Sequence, residues 1–115
     1  MAFDEFTIRC LEKIVGTFVE QRRPPIYMRT ELDLAFRIEG QSVLIFELRP
    51  RWKHPEAVIE SPVAKTNYVK TQGLWKIYWM RQDLKWHSYQ PLPEVESIEE
   101  FLEEVGRDPS ACFWG

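Results

Sequence analysis

Seven residues carry most of the chemistry this sequence offers: Arg49, Arg51, Trp52, Lys65, Trp79, Arg81 and Trp86. They fall within residues 47–89, which hold four of the five tryptophans. Guanidinium groups grip phosphate or carboxylate through paired hydrogen bonds, and aromatic rings stack on planar bases. Arg49-Pro50-Arg51-Trp52 is the most unusual string. Two arginines around a proline, beside an indole, place rigid cationic forks on a loop. These residue types suit capture of an anion, either nucleic acid or a small phosphorylated or carboxylated molecule. The plain alternative is a half-exposed sheet whose aromatic pairs and cation–π contacts are structural, with Trp52 packed under a loop.

A second constellation is acidic. Asp33, then Glu47-Leu48-Arg49, superficially resembles the metal-nuclease pattern of a strand Asp followed by Glu-x-Lys. In that chemistry two carboxylates hold Mg²⁺ and a lysine stabilises the attacking hydroxide. Here Arg49 stands where lysine belongs, and arginine does not deprotonate. Lys65 would have to substitute for it through space. Asp33 and Glu47 are therefore a weak metal pair, and ion pairs Asp33–Arg37 and Glu47–Arg49 are the simpler expectation.

Other reactive types stand in no working context. Neither His54 nor His87 has a cysteine or acid at zinc-ligand spacing. The serines lack a G-x-S-x-G setting, and the glycines make no phosphate loop. Cys10 and Cys112 lie near opposite ends and form no metal motif, so idle thiols in a reducing compartment are expected. No catalytic residue and no cofactor is expected, and a non-enzymatic binding module leads. A metal-dependent phosphodiesterase on Asp33 and Glu47 is the enzyme alternative. A homodimer seam built from the aromatics is the structural one.

The elements that must position these residues follow from periodicity. Residues 4–22 read as an amphipathic helix with Thr7, Leu11, Ile14 and Phe18 in one stripe, Asp4 as N-cap and Pro24-Pro25 as the stop. Period-two alternation marks strands at 32–38 and 43–49 around the turn Glu39-Gly40-Gln41-Ser42. A third strand spans 57–69, with Pro62 forcing a break, bulge or edge. Residues 74–81 and 85–89 form a hairpin with Asp83-Leu84 at its tip; Leu84 is an unusual choice where φ is often positive, so a loop longer than two residues is the alternative. Ser97-Ile98-Glu99-Glu100 is a capping box, Ile98, Phe101, Leu102 and Val105 are the stripe of a second helix, and Gly106 suits its C′ position. The fold class is α+β: one domain over 1–115, a mostly antiparallel five-stranded meander flanked by an N-terminal and a C-terminal helix.

A two-residue hairpin tip sets Arg81 opposite Trp86 and Trp79 opposite Ser88, in one row with Trp75 and Ile77. Tyr78, Met80, His87 and Tyr89 form the other row. On this register Trp79, Arg81 and Trp86 are exposed, while Tyr78, Met80 and Tyr89 move toward the core. Asp33, Arg37, Glu47 and Arg49 would join the exposed face. A one-residue slip reverses the division.

The bulk charge of -3 hides an asymmetry. Residues 1–89 hold fourteen Lys/Arg against eleven Asp/Glu, whereas residues 90–115 hold one arginine against seven acids. A basic body with an acidic final helix can steer an anionic partner to one side. The N-terminus carries Asp4 and Glu5 rather than a basic leader, and no apolar run approaches the roughly 18 residues of a membrane span. A cytoplasmic protein with no membrane partner is expected.

The whole chain also resembles a bacterial domain-of-unknown-function family, number 3024. The matching strings are Arg23-Pro24-Pro25, Leu32-Asp33-Leu34, Arg37 through Val43, Phe46-Glu47 with Arg49-Pro50-Arg51-Trp52, and Pro62 with Ala64-Lys65. They continue in Tyr68-Val69-Lys70, Trp75-Lys76, Tyr78-Trp79-Met80-Arg81, Asp83 through His87, Phe113 and Gly115. The resemblance implies a small bacterial protein with no established activity, and it carries over no site residues.

Overall fold

The computed structural model describes residues 2–114, with the backbone alone at Pro55; Met1 and Gly115 lie outside the described residues. Helix α1 spans Glu5–Arg22. The Asp4 carboxylate caps it by accepting from the Thr7 N–H at 2.7 Å. Leu11, Val15 and Val19, spaced four apart, are its buried face. Each such side chain contributes about 1.5–3 kcal/mol when fully buried. Pro24 holds Arg23 in extended backbone and ends the helix. A short 3₁₀ turn, Ile26–Met28, not evident from periodicity, then leads to the sheet.

Five strands run β1 Asp33–Glu39, β2 Ser42–Arg51, β3 His54–Val69, β4 Leu74–Met80 and β5 Trp86–Ser88, antiparallel in chain order. Gly40 takes φ 57° at the first central position of the two-residue β1–β2 turn, where a side chain is disfavoured. Beyond β5, residues 90–92 leave the ladder, and the Pro93 carbonyl rejoins it by accepting from the Ile77 N–H at 2.9 Å. The short strand β6, Glu94–Val95, then resumes pairing on β4 opposite Trp75 and Lys76. Helix α2, Ile98–Arg107, starts with both bonds of the capping box at Ser97 and Glu100. It runs through Gly106, which was expected beyond its end. A Cβ there would lie 3.4 Å from the Phe18 ring, so the glycine serves helix packing. Asp108 takes the left-handed cap instead, at φ 43°.

Both helices cover one face of the sheet. Val43, Ile45, Ala64, Thr66 and Ile77 are wholly buried beneath them. The Thr66 hydroxyl donates to the Lys76 carbonyl at 2.8 Å, so the one polar member of the row is satisfied. At the opposite end of this layer Phe3, Tyr68 and Trp75 form an aromatic cluster with centroids 4.9–6.2 Å apart. Tyr89, fully buried as expected, donates its hydroxyl to the buried Glu104 carboxylate at 2.7 Å. The chain end folds back through Asp108, which accepts from the N–H groups of Cys112, Phe113 and Trp114.

The last hairpin corrects the expected register. Its loop is three residues, Gln82–Leu84, with Leu84 in the left-handed region at φ 61°. Leu84 N–H bonds the Arg81 carbonyl at 2.9 Å, and Arg81 N–H bonds the Lys85 carbonyl at 3.2 Å. A three-residue loop pairs Met80 with Trp86, Trp79 with His87 and Tyr78 with Ser88, one position from the two-residue register. Trp75, Ile77 and Trp79 face the helices in the row of buried Thr66 and Ala64, and the shift places Trp86 with Tyr78 and Met80 on the open face.

Arg23 fastens α1 to the start of β1. Its Nε and Nη2 donate to both oxygens of Asp33, each at 2.9 Å, and its Nη1 donates to Glu20 at 2.8 Å. Asp33 is thus paired with Arg23, not with Arg37 as the spacing predicts. Arg37 instead lies over the Phe46 ring, forks onto Glu60 at 3.0 Å and touches Glu39. A helix ending beside a strand start brings Arg23 to Asp33, whereas two registers along β1 the Arg37 fork reaches across β2 to β3. The expected Glu47–Arg49 pair is present at 3.0 Å.

Two predictions follow from these bonds. The Arg23 guanidinium holds Asp33 below the usual carboxylate range. Its contribution is present above the unfolded value and lost as pH falls through the folded one. Asp33→Asn should cost about 1–3 kcal/mol near neutrality in urea denaturation and flatten the acid limb of the stability profile. Burial, then the bond to Glu104, pushes the Tyr89 hydroxyl up to about 12. That contribution is complete below the unfolded value of about 10 and lost as pH rises through the folded one. Tyr89→Phe should cost about 1–3 kcal/mol by stranding the Glu104 carboxylate, and its stability should fall less steeply between those pH values. Parallel alkaline profiles for variant and parent would show the bond to be without weight.

Candidate anion-binding surface

Strand lengths create the most exposed feature of the protein. On one flank β1 begins at Asp33, opposite Leu48 of β2. On the other, β3 and β4 are paired only from Lys65 opposite Tyr78 to Val69 opposite Leu74. β2 and β3 nevertheless remain paired out to Arg51 opposite His54. A two-stranded ribbon therefore projects past both neighbours and turns at Trp52-Lys53. The register shifts between Ile45 and Phe46 and between Pro50 and Arg51, leaving Val63 and then residues 55–57 as extra residues on β3. Pro55 and Pro62 remove backbone donors from β3 over the stretch that β4 leaves unpaired, and Glu56 adds charge there. These are the devices that keep a bare strand edge from pairing with another chain.

The tip is cationic and aromatic. Residues 49–54 carry Arg49, Arg51 and Lys53 and no carboxylate. Trp52 is 88% exposed, with the Lys53 amine 5.5 Å from its ring centroid. The alternative of Trp52 packed under a loop is thereby corrected: a hairpin tip beyond both neighbouring strands has nothing to cover it. Among the described residues Arg51 and Lys53 have no ion-pair partner, whereas Arg49 is held by Glu47. By alternation Arg49 and Arg51 lie in the row of Val43, Ile45 and Glu47, on the helix-bearing face but beyond the helices. Asp33 and Arg37 belong to the other row, so the expected set of Asp33, Arg37, Glu47 and Arg49 does not share one face.

The seven sequence-derived residues fall into three groups. Arg49, Arg51 and Trp52 occupy the ribbon. Trp79 and Arg81 form a pair at the end of β4, with the guanidinium 5.5 Å from the indole centroid. Lys65 and Trp86 meet on the open face, 5.9 Å apart. Trp79 is half-buried against the core rather than displayed, because it shares the strand row of the wholly buried Ile77. Among the described residues these three groups lie apart. A concavity of about 850 Å³ lies elsewhere, between the β1–β2 and β3–β4 turns, lined by Gly40, Ser42, Asn67, Tyr68 and Thr71 among others.

The carboxylate pair does not converge. Asp33 pairs across the ladder with Leu48 and Glu47 with Leu34, which places their side chains on opposite faces. Both Asp33 oxygens are held by Arg23, and Glu47 accepts from Arg49. Among the described residues no group of three His, Cys, Asp or Glu is arranged to hold a metal ion. Cys10 and Cys112 are free thiols, and burial raises the latter. Among the described residues no helix is long and apolar enough to cross a membrane.

Sequence reasoning missed two features of this end. Lys53 extends the Arg49–Trp52 string by one residue, and it could have been included on charge alone. Ile26, Tyr27, Val58, Ile59 and Leu84 are large, apolar and exposed on the ribbon or on the loops flanking it. Their exposure depends on strand lengths, which periodicity leaves open by several residues.

No curated protein and no solved structure matches the chain. The family model described as a domain of unknown function (DUF3024) matches residues 3–115. With essentially its whole length matched, the chain belongs to the DUF3024 family.

Proposed function

We propose that the protein is a non-catalytic binding module for nucleic acid, engaged through the tip of the β2–β3 ribbon. The observation that carries the reading is the projection of Arg51, Trp52 and Lys53 past every neighbouring strand, with both cations unpaired among the described residues. An arginine fork and a lysine point charge suit successive phosphates, and an exposed indole offers a ring to bases. A projecting tip favours an extended polymer over a small anion, because the cations stand on a convex surface. Binding rather than phosphodiester cleavage is favoured by Asp33 and Glu47, each committed to its own arginine on opposite faces.

The overall charge of -3 does not oppose this reading, because seven of the eighteen acids lie in residues 90–115 and the tip, residues 49–54, carries none, while Glu47, Glu56 and Glu60 stand further back on β2 and β3. Glu94 pairs with the start of β4, the end remote from the tip, with Glu96 just beyond it, and Glu99 and Glu100 open α2. A cationic tip set apart from this acidic segment orients the molecule as it approaches a polyanion.

Anisotropy of a labelled mixed-sequence oligonucleotide tests the proposal. If Arg49, Arg51 and Lys53 together neutralise three phosphates, affinity should fall roughly 40-fold between 50 and 200 mM salt. Combined charge reversal, Arg51→Glu with Lys53→Glu, should weaken binding by at least about tenfold. Lys65→Glu, on the open face, should leave it nearly unchanged. A parent protein that shows no binding up to about 100 µM at low salt would refute the assignment, since even sequence-independent binding falls in that range.

A further inference from the structure

We infer that the nucleic acid is double-stranded and that the ribbon enters its major groove, an inference that rests on the binding reading above. From Leu48, where β1 ends its support, β2 continues for three residues to Arg51. At about 3.3 Å per residue the ribbon stands about 10 Å clear of β1 before its turn begins. A major groove is about 8.5 Å deep and about 12 Å wide and admits a two-stranded β-ribbon. A minor groove, about 6 Å wide, is narrower than a ribbon with side chains on both faces, which measures about 10 Å through.

The flanks supply the second half of the fit. The sheet order places β1 on one side of the ribbon and β4 with β5 on the other. Because β4 runs antiparallel to β3, the loop joining it to β5 opens toward the same end as the ribbon tip. That loop begins at the exposed Arg81 and closes at the exposed Lys85, set back from the tip. On the far flank the segment between α1 and β1 carries Arg29, whose Nε is anchored to the Pro24 carbonyl at 2.9 Å. A ribbon in a groove brings flanking shoulders against the two backbones that border it. Arg81 and Lys85 are placed to meet one backbone, while Arg51, Trp52 and Lys53 reach the groove floor. A single strand has no second backbone and no groove wall, so it would engage the tip alone.

Three measurements on the full chain decide the matter. Anisotropy with a duplex and with each of its separated strands should favour the duplex by about tenfold or more. Charge reversal on the shoulder, Arg81→Glu with Lys85→Glu, should weaken duplex binding several-fold and leave single-strand binding unchanged, with far-UV circular dichroism confirming the fold. Bound duplex should protect guanine N7, a major-groove atom, from dimethyl sulfate. Equal or tighter binding of single strands overturns this inference and leaves the binding proposal standing. Duplex binding with guanine N7 unprotected also overturns it. Absence of binding to either form removes the reading on which it rests.

Discussion

The burial of one row of side chains sets the rest of this structure. Val43 and Ile45 on β2, Ala64 and Thr66 on β3 and Ile77 on β4 have no exposure, because α1 and α2 lie on the same face above them. Strand alternation then leaves no choice at neighbouring positions. Once Ile77 faces inward, Trp75 and Trp79 must follow it, and Tyr78 and Met80 must face outward. Once Ile45 is inward, the continuation of its row carries Glu47, Arg49 and Arg51 onto the helix-bearing face, where the helices no longer reach.

Around this row the polar interactions act as fasteners at the periphery. Arg23 joins the end of α1 to the start of β1 through both oxygens of Asp33, and Tyr89 joins the sheet to α2 through Glu104. Trp114 donates its indole N–H to the Val105 carbonyl, and Arg22 lies between the rings of Phe18 and Trp114. Each fastener binds an element that the hydrophobic layer alone would leave free to slide. Among the described residues the ribbon beyond Leu48 has no such ties to other elements at its tip.

How legible this was varies with the physical distance over which each feature is decided. The α1 stop at Pro24-Pro25, the turn at Gly40 and the capping box at Ser97 and Glu100 are set within a few residues, and each stands where the sequence places it. Gly106 was misread because its function is to admit the Phe18 ring from another helix. The register of the last hairpin was misread by one position. Leu84 adopts φ 61° despite its side chain, because the last position of a three-residue hairpin loop takes the left-handed conformation. The suspected residues fall apart into three groups: Trp79 with Arg81 in the row of Ile77, Trp86 with Lys65 on the open face, and Arg49, Arg51 and Trp52 on the ribbon.

Sequence by itself determined the α+β class, the antiparallel order of the first five strands, the two helices and the concentration of cations and indoles between residues 47 and 89. These follow from side-chain periodicity and from backbone-limited residues such as proline and glycine, which act over short range. Tertiary structure alone decided which row of each strand is covered, how far β2 and β3 outrun their neighbours, and hence that Arg51, Trp52 and Lys53 stand exposed at a projecting tip. Those outcomes depend on pairing between distant strands and on where the helices end. Both are set by packing across the whole layer rather than by any local pattern.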